Sequence, residues 1–458
     1  MNDGIEKEIA RIVEARASEY DAIAKDIWEH PEISHEEKRS SEVYRVRLAS
    51  RGFRVTEFPE MPYSFAAERG SGGAVIAIMG EYDALPSMSQ ACVASPRPIT
   101  AGAPGHACGH NLLGAASLAA AEALADALDE RGIPGRVRFY GCPAEESLGR
   151  IPLVKAGRFD DVDIAMTWHP ADVNTPHRYT SSANLSLVFS FTGRASHAGM
   201  APHAGRSALD AAQLFNLSLE FMREHLPRGV LLHYVISDGG AKPNIVPAKA
   251  ATWLYIRAPR AGDVRGVVKR VLKAARGAAL MTETQVRHEI LSGKCDYVPN
   301  DVVQDAMRDS MARIPLPEPS AAEIAFAREL QATVGKKDRE ATLVPIDAPL
   351  RLLRDPIHRE LGDFGRGCRI GGSLDTGDVS YIVPTGQLNS ATWPLGVGAH
   401  TWQSCAASGS TWAFKAMRWA AACLASAGFA LASDPASLAA AKKEYVKGKR
   451  PYRSTMDL

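Results

Sequence analysis

Four short stretches of this sequence carry side chains that can do chemistry. They are His106-Ala107-Cys108-Gly109-His110, Glu145-Glu146, Trp168-His169-Pro170 and His400. Thiolate, imidazole and carboxylate are the donors that hold zinc-like divalent ions. Cys108-x-His110 sets two such donors close together, and Gly109 gives the backbone room to turn between them. Adjacent glutamates can divide labour, one ligating while its neighbour points elsewhere and takes a proton from water. Each stretch also has a plainer reading. A buried cysteine and a helix-capping histidine fit Cys108 and His110, a solvated helix start fits Glu145-Glu146, and a turn fits His169 before proline. Where these stretches fall in the fold separates the two readings.

Two of them follow apolar runs, and a third such run ends at Glu81-Tyr82-Asp83. GGAVIAIMGEYDALP (72–86), VRFYGCPAEE (137–146) and VDIAMTWHP (162–170) are short apolar segments that end in polar residues. Buried strands end in this way when the carboxyl edge of a sheet carries a site. HACGHNLLGAASLAAAEALADAL (106–128) runs from a polar cluster straight into a long helix. The repeated order strand, site, helix predicts an α/β domain with a mostly parallel sheet. Upstream, Ile5, Ile9, Ile12 and Val13 form one stripe of an amphipathic helix over residues 3–28. Ser34 and Glu37 are spaced as a capping box, opening a second helix that runs to Ser50 and stops at Gly52.

The middle of the chain has another rhythm. Strand patterns at 184–199, 229–240, 248–259 and 284–293 alternate with helical ones at 207–226 and 263–278. The order β-α-β-β-α-β is that of a ferredoxin-like α+β module. The flanks then read as two halves of one domain. The predicted division is a catalytic metal-binding domain, residues 1–184 and 299–458, with an inserted lid or dimerisation domain at residues 185–298.

Composition narrows the classes. The 458 residues include 53 Lys+Arg and 52 Asp+Glu, a net charge of +1. That balance excludes a binder of nucleic acid that works by neutralising phosphates. Charged residues at 23% and hydrophobic ones at 46% are those of a globular protein. The amino-terminal residues lack the continuous apolar core of a signal peptide, and the Ala-rich stretches at 115–127 and 413–432 are too interrupted for membrane spans. Seven scattered cysteines, an odd number, predict reduced thiols and a cytoplasmic location.

The sequence resembles the M20 metallopeptidase/amidohydrolase family, and within it the branch of the aminobenzoyl-glutamate hydrolase B subunit. The resemblance spans nearly the whole chain. It rests on GEYDALP (80–86), GAPGHACGHNLLG (102–114), GCPAEE (141–146), WHP (168–170), SHAGMAPHAGRSALDAA (196–212), GGAKPNIVP (239–247), GSLDTGDVSYIVPT (372–385) and HTWQ (400–403). It implies that Cys108, His110, Glu146, His169 and His400 are metal ligands and that Glu145 is the general base. It sets Asp83 beside the metal as a catalytic residue. It gives His233 a catalytic role from the lid, delivered across a dimer interface in some members, and makes Asn244 and Arg257 substrate contacts. The implied cofactor is Mn2+ or Zn2+. Many peptidase members have a ligating histidine where this chain has Glu81, which leaves one or two ions per protomer open and favours a supporting role for Glu81.

The function so implied is metal-dependent cleavage of a C–N bond in a small carboxylated, aromatic substrate, an amide of the aminobenzoyl-glutamate or N-acyl amino acid type. An alternative within the resemblance is displacement of an amino group from an activated aromatic such as 5-nitroanthranilate, releasing ammonia. A different class of reading is a non-catalytic subunit that binds metal or peptide. The expected partners are the small substrate and at least one further copy of the chain through the lid, with neither nucleic acid nor membrane.

Overall fold

The computed structural model describes residues 4–458. Its larger sheet contains β1 (Arg54–Glu57), β2 (Phe65–Ser71), β3 (Ala74–Glu81), β4 (Gly135–Cys142), β5 (Ile164–Ala171) and the short β6 (Thr175–Pro176). The second unit contributes β7 (Ala183–Thr192), β8 (Leu231–Asp238), β9 (Lys249–Ala258) and β10 (Gln285–Lys294), and β11 (Thr385–Ala391) returns to the first sheet.

The seven-stranded sheet has the order β1-β2-β4-β3-β5-β11-β6. Its centre, β4-β3-β5-β11, is parallel, and its margins are antiparallel. Every residue of β3 and of β11 is buried, as strands covered on both faces must be. Helices His110–Arg131 and Thr411–Ser433 pack against the sheet and each other. Both are long and apolar enough to cross a membrane by length and composition, but their apolar windows are mostly buried inside the fold. They are core helices of the sheet layer. The parallel register aligns Glu81 with Cys142 and Asn389 with His169. The carboxyl ends of β3, β4 and β5 therefore deliver their polar residues to one edge.

Toward the amino terminus two elements differ from expectation. The single helix expected over 3–28, whose first residue lies outside those described, is two helices, Ile5–Glu14 and Ala17–Glu29. The break frees Arg16 to pair with Asp126 at 2.8 Å. The capping box is also absent. The helix begins at Lys38 with Glu37 as its cap residue and no side-chain cap bond. Glu32 instead accepts from the amides of Arg39 and Ser40, at 2.9 and 2.8 Å. Ser34 and Glu37 turn to distant partners, described below. Strand β2 is an addition to the expected elements.

The chain divides into two compact units. The first comprises the described residues to Thr180, Val298–Ile370 and Val379–Pro451. The second comprises Ser181–Tyr297, Gly371–Asp378 and Tyr452–Leu458. The predicted division places the last two segments in the catalytic halves. They join the second unit because Asp378 is a buried anchor there, accepting from the Cys295 amide at 2.9 Å and the Tyr452 hydroxyl at 3.1 Å. This unit is an antiparallel sheet of order β10-β7-β9-β8 with helices Ala208–Arg223 and Ala261–Met281, the expected β-α-β-β-α-β sequence. Strand β8 lies at its edge and is largely exposed.

Candidate metal centre

The polar residues at the ends of β3, β4 and β5 meet the loop before helix His110–Arg131. Gly109, with φ +76°, turns that loop into the helix, and a Cβ there would come within 2.9 Å of the Pro170 side chain. The close approach brings Cys108 to the end of β5, where its Sγ lies 3.6 Å from His169 Nε2. His400 reaches the same region from a left-handed position, φ +63°, and its amide donates to Ala107 O at 2.9 Å.

Three overlapping trios of donor atoms result, each with its atoms within 4.8 Å of one another. They are Cys108-His110-His169, Cys108-Glu146-His400 and Glu81-His110-Glu145. The first two share the Cys108 sulfur. Tetrahedral sites with bonds of about 2.0–2.3 Å have ligand–ligand edges of about 3.3–3.8 Å, a range that includes the Cys108–His169 separation. Glu146 Oε1 lies 3.2 Å from His400 Nε2, and His110 Nε2 lies 3.2 Å from Glu81 Oε2. These pairs are within ion-pair range, yet Glu146 Oε1 and His110 Nε2 are buried with no hydrogen bond. Buried polar atoms that face one another without bonding are what an intended cation would satisfy. The donor set fits a divalent ion on both chemistry and geometry.

Charge follows the same pattern. Burial pushes the Cys108 thiol up, but His110 and His169 outweigh it and hold the thiol well below its ordinary value. Burial works against protonated His169, yet the Cys108 sulfur lifts it to about 9. The Cys108 sulfur and the Glu146 carboxylate raise His400 to about 10. The surroundings favour an anionic sulfur, the form that ligates a metal, and a bound cation would compete with protons for the imidazoles.

Asp83 belongs to no trio. Its Oδ1 lies 2.9 Å from His110 Nδ1, so it acts through that ring. An N–H directed at Asp83 leaves Nε2 as the free lone pair, the tautomer a metal ligand needs. Asp83 Oδ2 accepts from the Glu146 amide at 2.9 Å and the Ser34 hydroxyl at 2.8 Å. Burial opposes its charge, but His110 and these donors hold it at about 2. Glu81 is gripped on its far side by the fully buried Arg150, whose Nη2 donates to Oε1 at 2.5 Å. His106 faces Ile27 O at 3.1 Å, with burial lowering it to about 3, and ties the loop to helix Ala17–Glu29. Trp168 is buried and donates to Leu113 O at 3.0 Å, so it packs in the core.

The structure thus gathers Asp83, Cys108, His110, Glu145, Glu146, His169 and His400 in the first unit. His233, Asn244 and Arg257 belong to the second. His233 lies on β8 and is exposed, as is Asn244. Arg257, on β9, donates to Ser373 Oγ at 3.2 Å and sits 5.8 Å from the Tyr255 ring centre. Sequence reasoning missed Arg150, Ser34 and Glu37 as neighbours of the cluster. Arg150 offered no signal beyond its place shortly after the Glu145-Glu146 pair.

A parallel-sheet edge with overlapping metal-ligand trios, two of which contain glutamates, has the make-up of a metal-dependent hydrolase. Known proteins agree. Residues 179–281 match the M20 peptidase dimerisation domain. The B subunit of p-aminobenzoyl-glutamate hydrolase from Escherichia coli (strain K12) is 39% identical over 96% of this chain and 95% of its own length. The Xaa-Arg dipeptidase of Mus musculus is 30% identical over 67% of this chain and 70% of its own. Among solved structures, a dinuclear metal-binding M20 peptidase of Bacillus subtilis superposes with a TM-score of 0.57 at 17% identity, covering 92% of this chain and 99% of the other. The chain belongs to the M20 metallopeptidase/amidohydrolase family, on the branch of the aminobenzoyl-glutamate hydrolase B subunit. It is a hydrolase of that metal-dependent class.

Proposed function

We propose that this chain hydrolyses the amide bond of a small carboxylated aromatic substrate, of the aminobenzoyl-glutamate or N-acyl amino acid type, with Glu145 as general base. The observation that carries the reading is the pair of trios sharing Cys108, with Glu145 in a third trio beside His110. We assign two ions, one to Cys108, His110 and His169 and one to Cys108, Glu146 and His400. The sulfur suits zinc, and the carboxylate and imidazoles also suit manganese. Bound divalent ions would supply an acidified water and a Lewis acid for the carbonyl.

The residues divide the remaining work. Glu145 takes the proton of the attacking water and returns it to the departing nitrogen. Asp83 fixes the ring of His110 and the backbone of Glu146. His233 stabilises the anion that develops on the carbonyl oxygen. Arg257, with its two-pronged fork, and Asn244 bind the substrate carboxylate. The aromatic substrate class is supported by the relative from Escherichia coli, whose name states aminobenzoyl-glutamate.

We further propose that the chain forms a homodimer through its second unit. Edge strand β8 exposes Leu231, Val235 and Ile236, at 50%, 56% and 45%, and closed two-fold pairing is the commonest way to cover such a face. Seven cysteines, all free, fit the cytoplasm as its compartment.

Product analysis tests the reaction. The Mn2+- or Zn2+-loaded chain should convert p-aminobenzoyl-glutamate to p-aminobenzoate and glutamate. Ammonia and a phenol from 5-nitroanthranilate, with no amide cleavage, would replace this reading by attack on a ring carbon.

A further inference from the structure

The turn that carries Glu145 is strained. Ala144 sits at φ +56°, a region that a non-glycine residue keeps only when its surroundings hold it there. Its carbonyl accepts from the amides of Ser147 at 3.1 Å and Gly149 at 2.7 Å. Its own amide donates to Glu37 Oε1 at 2.7 Å. Glu37 is fully buried, and it reaches this amide across 107 residues of sequence.

Glu37 is the last of several contacts made by one short segment. The Ala84 amide donates to Glu32 O at 2.7 Å, and Ile33 bridges to Ala84, which fixes the segment to the exit of β3. Ser34 donates to Asp83, and a ring nitrogen of His35 lies 3.3 Å from Ser147 Oγ. Residues 32–37 thus run beside both the Asp83 turn and the Ala144–Ser147 turn, touching each with side chains.

We propose that Glu37 is a positioning residue for the reaction, a brace that holds the strained Ala144 peptide and so fixes where Glu145 points. It touches neither substrate nor ion. The proposal rests on Glu145 being the base. A glutamine can still accept the Ala144 N–H through its amide oxygen, whereas a leucine of similar bulk cannot.

The test compares Glu37→Gln, Glu37→Leu and Glu145→Gln for kcat, KM and bound metal per chain. Glu37→Gln should keep a third or more of the wild-type kcat. Glu37→Leu should lose roughly 30- to 100-fold in kcat, with KM and metal content within about twofold of wild type. Ala144→Gly added to Glu37→Leu should recover several-fold, because glycine takes φ +56° unaided. A Glu37→Leu enzyme within threefold of wild type overturns the proposal. So does a loss of kcat and metal together, or an equal loss in Glu37→Gln. Glu37→Ala stands in if the leucine variant does not fold. Glu145→Gln separates the two claims. If it retains wild-type turnover the base assignment fails, and if it is inactive while Glu37→Leu is fully active only the brace fails.

Discussion

The two sheets differ in what they leave unsatisfied. The seven-stranded sheet buries β3 and β11 completely and, at one edge, buries polar atoms that face each other without bonding. The four-stranded sheet does the reverse, holding apolar Leu231, Val235 and Ile236 in solvent along β8. A buried polar atom is costly until something pairs with it, and an exposed apolar strand is costly until something covers it. A deficit of the first kind suits a small cation, and one of the second kind suits another protein surface. The metal-ligand trios thus lie wholly in the first unit, and the exposed apolar strand in the second.

The contrast breaks most visibly at Glu145. Glu145→Gln should lower kcat about 10^3-fold with metal retained, measured as turnover of p-aminobenzoyl-glutamate beside metal analysis. Turnover within a few-fold of wild type would remove the base. A buried carboxylate away from the edge should behave differently. Glu122 is fully buried and pairs with Arg47 at 2.7 Å and with the Tyr20 hydroxyl at 2.9 Å. Glu122→Ala should cost about 3 kcal/mol in denaturant unfolding, because it strands its cationic partners, while activity per folded molecule is unchanged.

Acid should act on the first unit through two buried histidines. Burial lowers His177 to about 3 and His358 to about 4. In the unfolded chain both take protons near their ordinary value of about 6.5. Between those limits the unfolded state binds protons that the native state refuses, so stability falls as pH falls from about 6.5 to about 4. The full effect at His358 is about 3 kcal/mol, and His358→Gln should flatten thermal stability against pH in that window. The smallest effect is expected on β8. Val235→Glu should weaken the proposed self-association about tenfold, read by analytical ultracentrifugation, with Tm within about 2 °C of wild type.

Much of the site was legible because its residues follow apolar runs. A polar residue directly after a buried strand can only sit at the sheet edge, so Asp83, Glu145, Glu146 and His169 could be placed by local pattern. Cys108 and His110 joined them through the helix that follows. The ferredoxin-like order was legible for the same reason, since strand and helix periods alternate clearly there. Ser34 and Glu37 were misread because a capping box and a long-range brace use the same letters. Partners 49 and 107 residues away decided between them. Arg150 was invisible because a charged residue reads as exposed, and a partner such as the Glu81 carboxylate is what makes its burial tolerable. The break near Arg16 was hidden by an apolar stripe that continues across it. Strand β2 was hidden because its buried Phe65-Ala66-Ala67 runs straight into polar residues with no alternation.

The central claim is that Cys108 serves two ions at once, and counting metal per chain tests it most directly. After loading with Mn2+ or Zn2+ and removal of excess, the wild type should hold two ions, His169→Ala one and Cys108→Ala none. Two ions retained by Cys108→Ala, or a wild type that holds only one ion and loses it in His169→Ala, would contradict the shared-sulfur centre.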